Sequence, residues 1–262
     1  MKWRDLHKVY INLNQRPDRK LHMEKELAKA GITAERVSGM LPSEYNGPKE
    51  KIQRMLSQPG TIGCHYSHIK CMEQALALGK STLIMEDDLI ICSDIQKRLD
   101  YIENFLNTHE WDIFWLGGTY HVGPPWWHKP GHDDELRGMC DCKDGKDAER
   151  TEDPRIIKTY GAFSTFAYIV NIDSLPKILK LLDDNVQHSR AIDFLFIALE
   201  KQLNTYAFIP GCVKQYDNMS NIGNGISYFS SFAQKLGPYW YQDTMEQFNP
   251  ESYNWKEAAK KK

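Results

Sequence analysis

The chain lacks any long apolar run: no window of its 262 residues approaches the roughly 20 consecutive apolar residues that a membrane-spanning helix needs. Its opening residues, Met1-Lys2-Trp3-Arg4-Asp5-Leu6, have none of the apolar core of a secretory signal. On that reading a cytoplasmic location, bacterial or viral, is expected. An excess of one charge is missing too. The formal net charge is -2, so no broad positive field gathers nucleic acid, and Lys260-Lys261-Lys262 reads as a solvated tail. The two familiar Gly-rich phosphate loops, G-x-x-x-x-G-K-[ST] and G-x-G-x-x-G, are absent, so any nucleotide must be held without them. Cysteine is sparse and scattered: Cys64, Cys71, Cys92, Cys140, Cys142 and Cys212, mostly within apolar segments. That pattern suits buried thiols in a reducing compartment better than a disulfide framework. Cys140-Asp141-Cys142 has no second Cys or His pair at zinc-site spacing.

What is present is an ordinary globular composition, 41% hydrophobic and 26% charged, at a length that suits one large domain over residues 1–262. The most informative stretch is Leu83-Ile84-Met85-Glu86-Asp87-Asp88-Leu89-Ile90. Thr82 to Met85 reads as a short buried strand. Three carboxylates follow at once, and like charges so close repel. A bound cation relieves that repulsion, and hard carboxylate oxygens favour Mg²⁺ or Mn²⁺. Ligands of open α/β sheets collect at the carboxyl ends of strands, which is where these acids fall. The bland alternative is a solvated turn, with Asp88 or Asp94 capping the next helix.

His7 to Leu13 reads as the first strand, with a helix from about Arg19 to Ala30 capped by Asp18 and stopped by Gly31. Ile32 to Val37 reads as the next strand, which closes a βαβ unit and predicts a parallel sheet. Residues 41–58 are polar and Pro-rich, and read as an irregular connection. Gly60-Thr61-Ile62-Gly63 opens a helix to Leu78, its first turn offering free amides to an anion. Trp111 to Gly117 and Tyr160 to Val170 read as further strands, and Ser174 to Leu182 and Ile192 to Leu203 as helices. Residues 122–157, rich in breakers and charge, are expected to form a mobile loop, either a lid carrying Trp126 and Trp127 or a plain insertion. The aromatic-rich tail from residue 238 is expected to cover the sheet or to make a homodimer contact.

Several of these motifs, taken in order, resemble glycosyltransferase family 25, which includes bacterial lipopolysaccharide galactosyltransferases and collagen galactosyltransferases. They are Asn12-Leu13 with Arg16 and Asp18-Arg19; Gly60-x-x-Gly63-Cys64-x-x-Ser67-His68; Glu86-Asp87-Asp88; Trp111 to Gly117; Tyr160 to Val170; Ala191-Ile192-Asp193; and Ile209-Pro210 with Gln215 and Ser220-Asn221-Ile222. The resemblance spans about residues 7–225 and breaks off over Val122–Ile157. It implies an α/β fold of GT-A type, a Rossmann-like, mostly parallel sheet flanked by helices. It further implies metal-dependent, inverting transfer of a sugar, with galactose favoured, from a UDP-sugar to a hydroxyl of a glycan or of protein hydroxylysine.

On the same resemblance Glu86, Asp87 and Asp88 would hold Mn²⁺ or Mg²⁺, Asp88 with one of the other two making the direct contact. Asn12, Arg16, Arg19, Gly63, Ser67, His68, Asp87, Gln215 and Ser220 would meet the donor nucleotide or its sugar. Asp193, at the start of a helix, would be the catalytic base; as a plain structural residue it would only favour the helix dipole. The competing readings are a non-catalytic sugar-nucleotide or glycan-binding module, a glycoside hydrolase using Asp88 and Asp193, and a nucleotidyltransferase. The missing phosphate loop weighs against the last.

Overall fold

The computed structural model describes residues 1–120, 148–159, 162–199, 202–216 and 243–247. Strand β1 (His7–Asn12), helix α1 (Pro17–Ala30) and strand β2 (Glu35–Ser38) form the expected βαβ unit, with β1 and β2 parallel. Helix α1 starts two residues before the expected boundary, with Pro17 in its first turn, where the missing N–H has no helical partner to lose. Asp18 therefore lies inside the first turn rather than at the cap, and its carboxylate pairs with Arg16 at 2.7 Å. Gly31 ends α1, and Gly79 ends α2 (Gly60–Leu78), both in the left-handed conformation at φ near 63°.

The connection from residue 41 to 58 carries two 3-10 turns, Pro42–Glu44 and Lys49–Met55. Strand β3 (Thr82–Glu86) follows α2, and a short β4 (Leu89–Ile91) follows the acids. Then come α3 (Ile95–Thr108), β5 (Ile113–Tyr120), β6 (Ala148–Arg150), β7 (Ile156–Thr159) and β8 (Ala162–Val170). Helices α4 (Leu175–Asn185) and α5 (Ile192–Ala198) precede β9 (Thr205–Phe208) and β10 (Val213–Gln215). The expected loop over 122–157 is thus shorter at its C-terminal side, because β6 and the start of β7 pair along the sheet edge. Its two tryptophans, with Cys140 and Cys142, lie outside the described residues. Helix α5 stops at Ala198, well before the expected Leu203.

The eight-stranded sheet runs β2-β1-β3-β8-β5-β9-β7-β6, with β10-β4 as a separate two-stranded ribbon. Strands β8 and β7 run against the others. Adjacent residues of a strand point to opposite faces, so β3 feeds two cores at once. Leu83 and Met85 pack into the layer holding α1 and α3, with Met23, Leu27, Leu99 and Phe105. Ile84 faces the opposite layer, built from α2, α4 and α5 with Met72, Ile178 and Leu195. Burial on both faces is why β3 reads as an unbroken apolar run in the sequence. The polar residues that follow it emerge at the C-terminal edge of the sheet.

A second device fixes the ribbon. Arg98 of α3 is fully buried; it donates to the carbonyls of Pro210 (3.0 Å) and Gly211 (2.9 Å) and pairs with Asp94 at 2.6 Å. These bonds hold the link between β9 and β10. Of the aromatic tail, Asp243 accepts from the backbone N–H of Ser93, and the Met245 N–H donates to Asp94. That part of the tail covers the start of α3.

Candidate active site

Strand register brings the polar residues together. In the β1–β3 ladder Ile11 lies opposite Glu86, so the next residues along, Asn12 and Asp87, emerge side by side. In the ribbon Gln215 lies opposite Leu89, which puts its amide next to Asp88. Strand β8 flanks β3 on the other side, Ala167 opposite Met85, so Thr165 stands at the level of the acids.

Each carboxylate has its own partners. Asp87 accepts from Asn12 Nδ2 at 2.7 Å and from Arg19 Nη1 at 3.0 Å, which engages both of its oxygens. Asp88 Oδ2 takes Arg19 Nη1 at 3.0 Å and Gln215 Nε2 at 3.0 Å. Arg19, reaching over from the first turns of α1, therefore bridges two neighbouring acids. Glu86 accepts from Thr165 Oγ1 at 2.6 Å and lies 3.5 Å from His68 Nε2. The Asn12 side chain is oriented in turn by Arg36, which donates to its Oδ1 at 2.8 Å, and by its own bond to the Arg16 carbonyl.

These environments drive the acids apart in acidity. Burial pushes Asp88 up to about 7, helped by the negative charge of Glu86 and opposed by Arg19 and Gln215. Glu86 is also raised by burial, but His68, the Thr165 hydrogen bond and Arg19 outweigh that and hold it below the ordinary carboxylate range. Asp87 is raised, again chiefly by burial. Burial and the charge of Glu86 thus oppose ionisation of Asp88, while Glu86 itself is favoured as the carboxylate.

Asp193 approaches the cluster from α5. Its Oδ2 accepts from the backbone N–H of Ser164 at 3.2 Å, and its Oδ1 from the N–H of Phe194 at 2.9 Å. Ser164 lies on β8 with φ at 67°, a left-handed conformation that disfavours a side chain. Backbone held in that region is strained by about 1–3 kcal/mol and persists only where surroundings impose it. Here the strained residue aims its amide at Asp193. Burial raises Asp193 above the usual range, and the charge of Glu86 adds to it.

The remaining residues divide plainly. His68, almost wholly buried, shares a hydrogen bond between Nδ1 and the Tyr168 hydroxyl at 2.8 Å, and it faces Glu86. Ser67 donates to the Gly63 carbonyl at 2.6 Å and accepts from the Met40 N–H at 2.8 Å. Gly63 lies so close to the chain after β2 that an added Cβ would fall 2.3 Å from the Met40 carbonyl oxygen. Gly63 and Ser67 thus clamp α2 to that segment. Arg16 is paired with Asp18, at the edge of the cluster. Ser220 is outside the described residues. Arg36, Thr165 and Tyr168 belong to the network but are not singled out by the sequence. Thr165 and Tyr168 fall within the quoted 160–170 motif, while Arg36 carries no signal beyond its place on a strand.

The donors gathered here fit a hard cation. Asp88 Oδ1 is buried and has no hydrogen-bond partner among the described residues. An orphaned buried carboxylate oxygen is costly, and a divalent ion is a natural partner for it. A cavity of about 920 Å³ lies elsewhere, lined by Ser81, Trp111 and Asn171 near the opposite end of β3. No helix among the described residues is long and apolar enough to cross a membrane. No curated protein matches the chain. Residues 6–196 match the model of glycosyltransferase family 25, described as an LPS biosynthesis protein family, and this covers the βαβ unit, the acid cluster and Asp193. The chain belongs to glycosyltransferase family 25.

Proposed function

We propose that this glycosyltransferase is metal-dependent and inverting, and that it moves galactose from UDP-galactose to a hydroxyl of a glycan or of protein hydroxylysine. The observation that carries the reading is the open Oδ1 of Asp88, buried beside Glu86 at the end of β3, with Asp193 facing the same cluster. Asp88 and Glu86 are the residues we assign to Mn²⁺ or Mg²⁺. Asp87, both oxygens engaged by Asn12 and Arg19, serves to position them. The cation, when bound, neutralises charge building on the diphosphate leaving group. Arg19 and Asn12 stand beside that position and supply donors to the phosphates, with Arg16 at the margin.

Asp193 acts as the base. Its raised pKa makes it a better proton acceptor than a solvated carboxylate, and the amides of Ser164 and Phe194 fix its direction. It takes the acceptor hydroxyl proton as that oxygen bonds to the anomeric carbon. The sugar–phosphate C–O bond breaks on the opposite face, and the configuration inverts, by the stereochemical logic that governs inverting hydrolases.

The test is calorimetric titration with UDP-galactose, UDP-glucose and UDP-N-acetylglucosamine, each with Mn²⁺ and with EDTA, alongside Glu86→Ala/Asp88→Ala. Tight binding of UDP-galactose that needs both the metal and the acids supports the reading. Metal-independent binding would point to a lectin-like module, and no binding to any of the three would sink the donor assignment.

A further inference from the structure

A second cation preference is built around the same Glu86. Cys64 and His68 are four residues apart on α2, one turn along the same face. Cys64 Sγ, a ring nitrogen of His68 and a Glu86 carboxylate oxygen all lie within 4.8 Å of one another. The Nε2–Oε1 separation is 3.5 Å. Ligands around a tetrahedral zinc ion, at about 2.0–2.3 Å from the metal, are separated from each other by about 3.3–3.6 Å. The His–Glu edge already matches, and only the thiol needs to close in.

The outer contacts fit as well. A metal-bound imidazole usually has its other nitrogen hydrogen-bonded, which fixes the tautomer and ring plane. Here Tyr168 OH meets His68 Nδ1 at 2.8 Å, and the two rings stack at 5.7 Å. His68 and Tyr168 are buried, whereas Cys64 and Glu86 are partly exposed, so an ion has an entry from their side. Thiolate with imidazole selects zinc over manganese, whose preference is for carboxylate and water oxygen.

We propose that Cys64, His68 and Glu86 form a zinc-binding site, with a water completing the coordination. Binding replaces the S–H bond of Cys64 by a Zn–S bond and releases one proton to solvent. Because binding releases that proton, zinc uptake tightens as pH rises. The Glu86 oxygen that faces His68 is the one that accepts from Thr165, so zinc and the Thr165 hydroxyl share it. Competition with Mn²⁺ for Glu86 rests on the transferase reading; the zinc site itself does not.

The experiment is zinc titration of the purified chain, with X-ray absorption of the one-equivalent form and visible spectra of the Co²⁺ form. The expected coordination is one sulfur at about 2.3 Å with nitrogen and oxygen ligands at about 2.0–2.2 Å. Cys64→Ser and Glu86→Gln, checked for folding by circular dichroism, should each weaken zinc by at least about the 10–100-fold that loss of an outer partner costs elsewhere. Two sulfurs in the absorption spectrum would place the ion at another cysteine pair, Cys140 with Cys142 or the adjoining Cys92 and Cys212, and overturn the proposal. So would none, or an unchanged affinity in a folded Cys64→Ser. Zinc binding that survives a failed UDP-sugar titration would leave this site standing and count only against the transferase mechanism.

Discussion

Asp88→Asn should make the metal-free protein more stable at neutral and alkaline pH while removing its affinity for a divalent cation. Asp88 is 3% exposed, with its acidity shifted from an ordinary 3.8 to about 7, chiefly by burial and then by Glu86. A carboxylate raised in the folded state binds its proton more tightly there than in the unfolded chain. The wild type therefore loses stability as pH climbs from about 4 to about 7, by roughly 1.4 kcal/mol per pH unit, and the loss levels off above 7. The full gap is on the order of 4 kcal/mol at pH 8. Asparagine removes the charge and keeps an acceptor for Arg19 and Gln215. It introduces an amide N–H₂ where Asp88 Oδ1 had no partner, which costs about 1–3 kcal/mol if unmet. The net expectation is a gain of about 1–3 kcal/mol at pH 8, or about 2–12 °C in Tm at about 2–4 °C per kcal/mol for a chain of this class. Thermal melts in EDTA at pH 5, 6, 7 and 8 read this directly. The advantage of the variant should shrink steadily below pH 7. Adding Mn²⁺ should raise the wild-type Tm and leave the variant unmoved. A variant less stable than wild type at every pH, or an advantage that does not vary with pH, would refute the argument.

Arg19→Met removes the guanidinium shared by Asp87 and Asp88 and leaves two buried acids facing each other. A loss of about 3 kcal/mol in urea unfolding is expected, as for other broken buried pairs, with partial recovery in Mn²⁺. Asp193→Asn should keep the melting temperature and the UDP-sugar affinity but lower turnover by about 10²–10⁴-fold; retention of more than a tenth of the activity would remove it as the base. Ser164→Gly relieves a positive φ and should hold or raise Tm, with a fall in kcat if the amide is no longer held toward Asp193. Gly63→Ala forces a methyl against the Met40 carbonyl and should destabilise by about 1–3 kcal/mol, read as a lower Tm with no change in donor affinity if Gly63 only clamps the helix.

How the chain divides between legible and hidden features follows from range. Local patterns are written in neighbouring residues: the apolar run of β3, the Gly31 and Gly79 stops, the βαβ unit and the acid run at 86–88 all read directly from the sequence. Boundaries set by packing were less legible. Helix α5 ends at Ala198, although the apolar Leu199 and Leu203, four residues apart, suggest another helical turn; both are buried in the core all the same. Residues 148–157 look like loop in composition, yet the edge pairing of β6 and β7 makes part of them sheet.

The acids themselves were legible, but not the role of each. Which of the three is open, and which is engaged, depends on residues far away in sequence: Asn12, Arg19, Thr165 and Gln215. Arg36 carries no motif, and Thr165 and Tyr168, though inside the 160–170 motif, acquire their roles only from strand register. Asp193 could be named from its motif, but its partner, a strained Ser164 on a different element, could not. The sequence by itself determined the βαβ unit with its parallel strands and the presence of an acid cluster, since both are short-range. Tertiary structure alone decided the division of labour among the acids and the convergence of Cys64 and His68 on Glu86. Hydrogen-bond partners and burial are properties of the folded neighbourhood, and a linear pattern does not contain them.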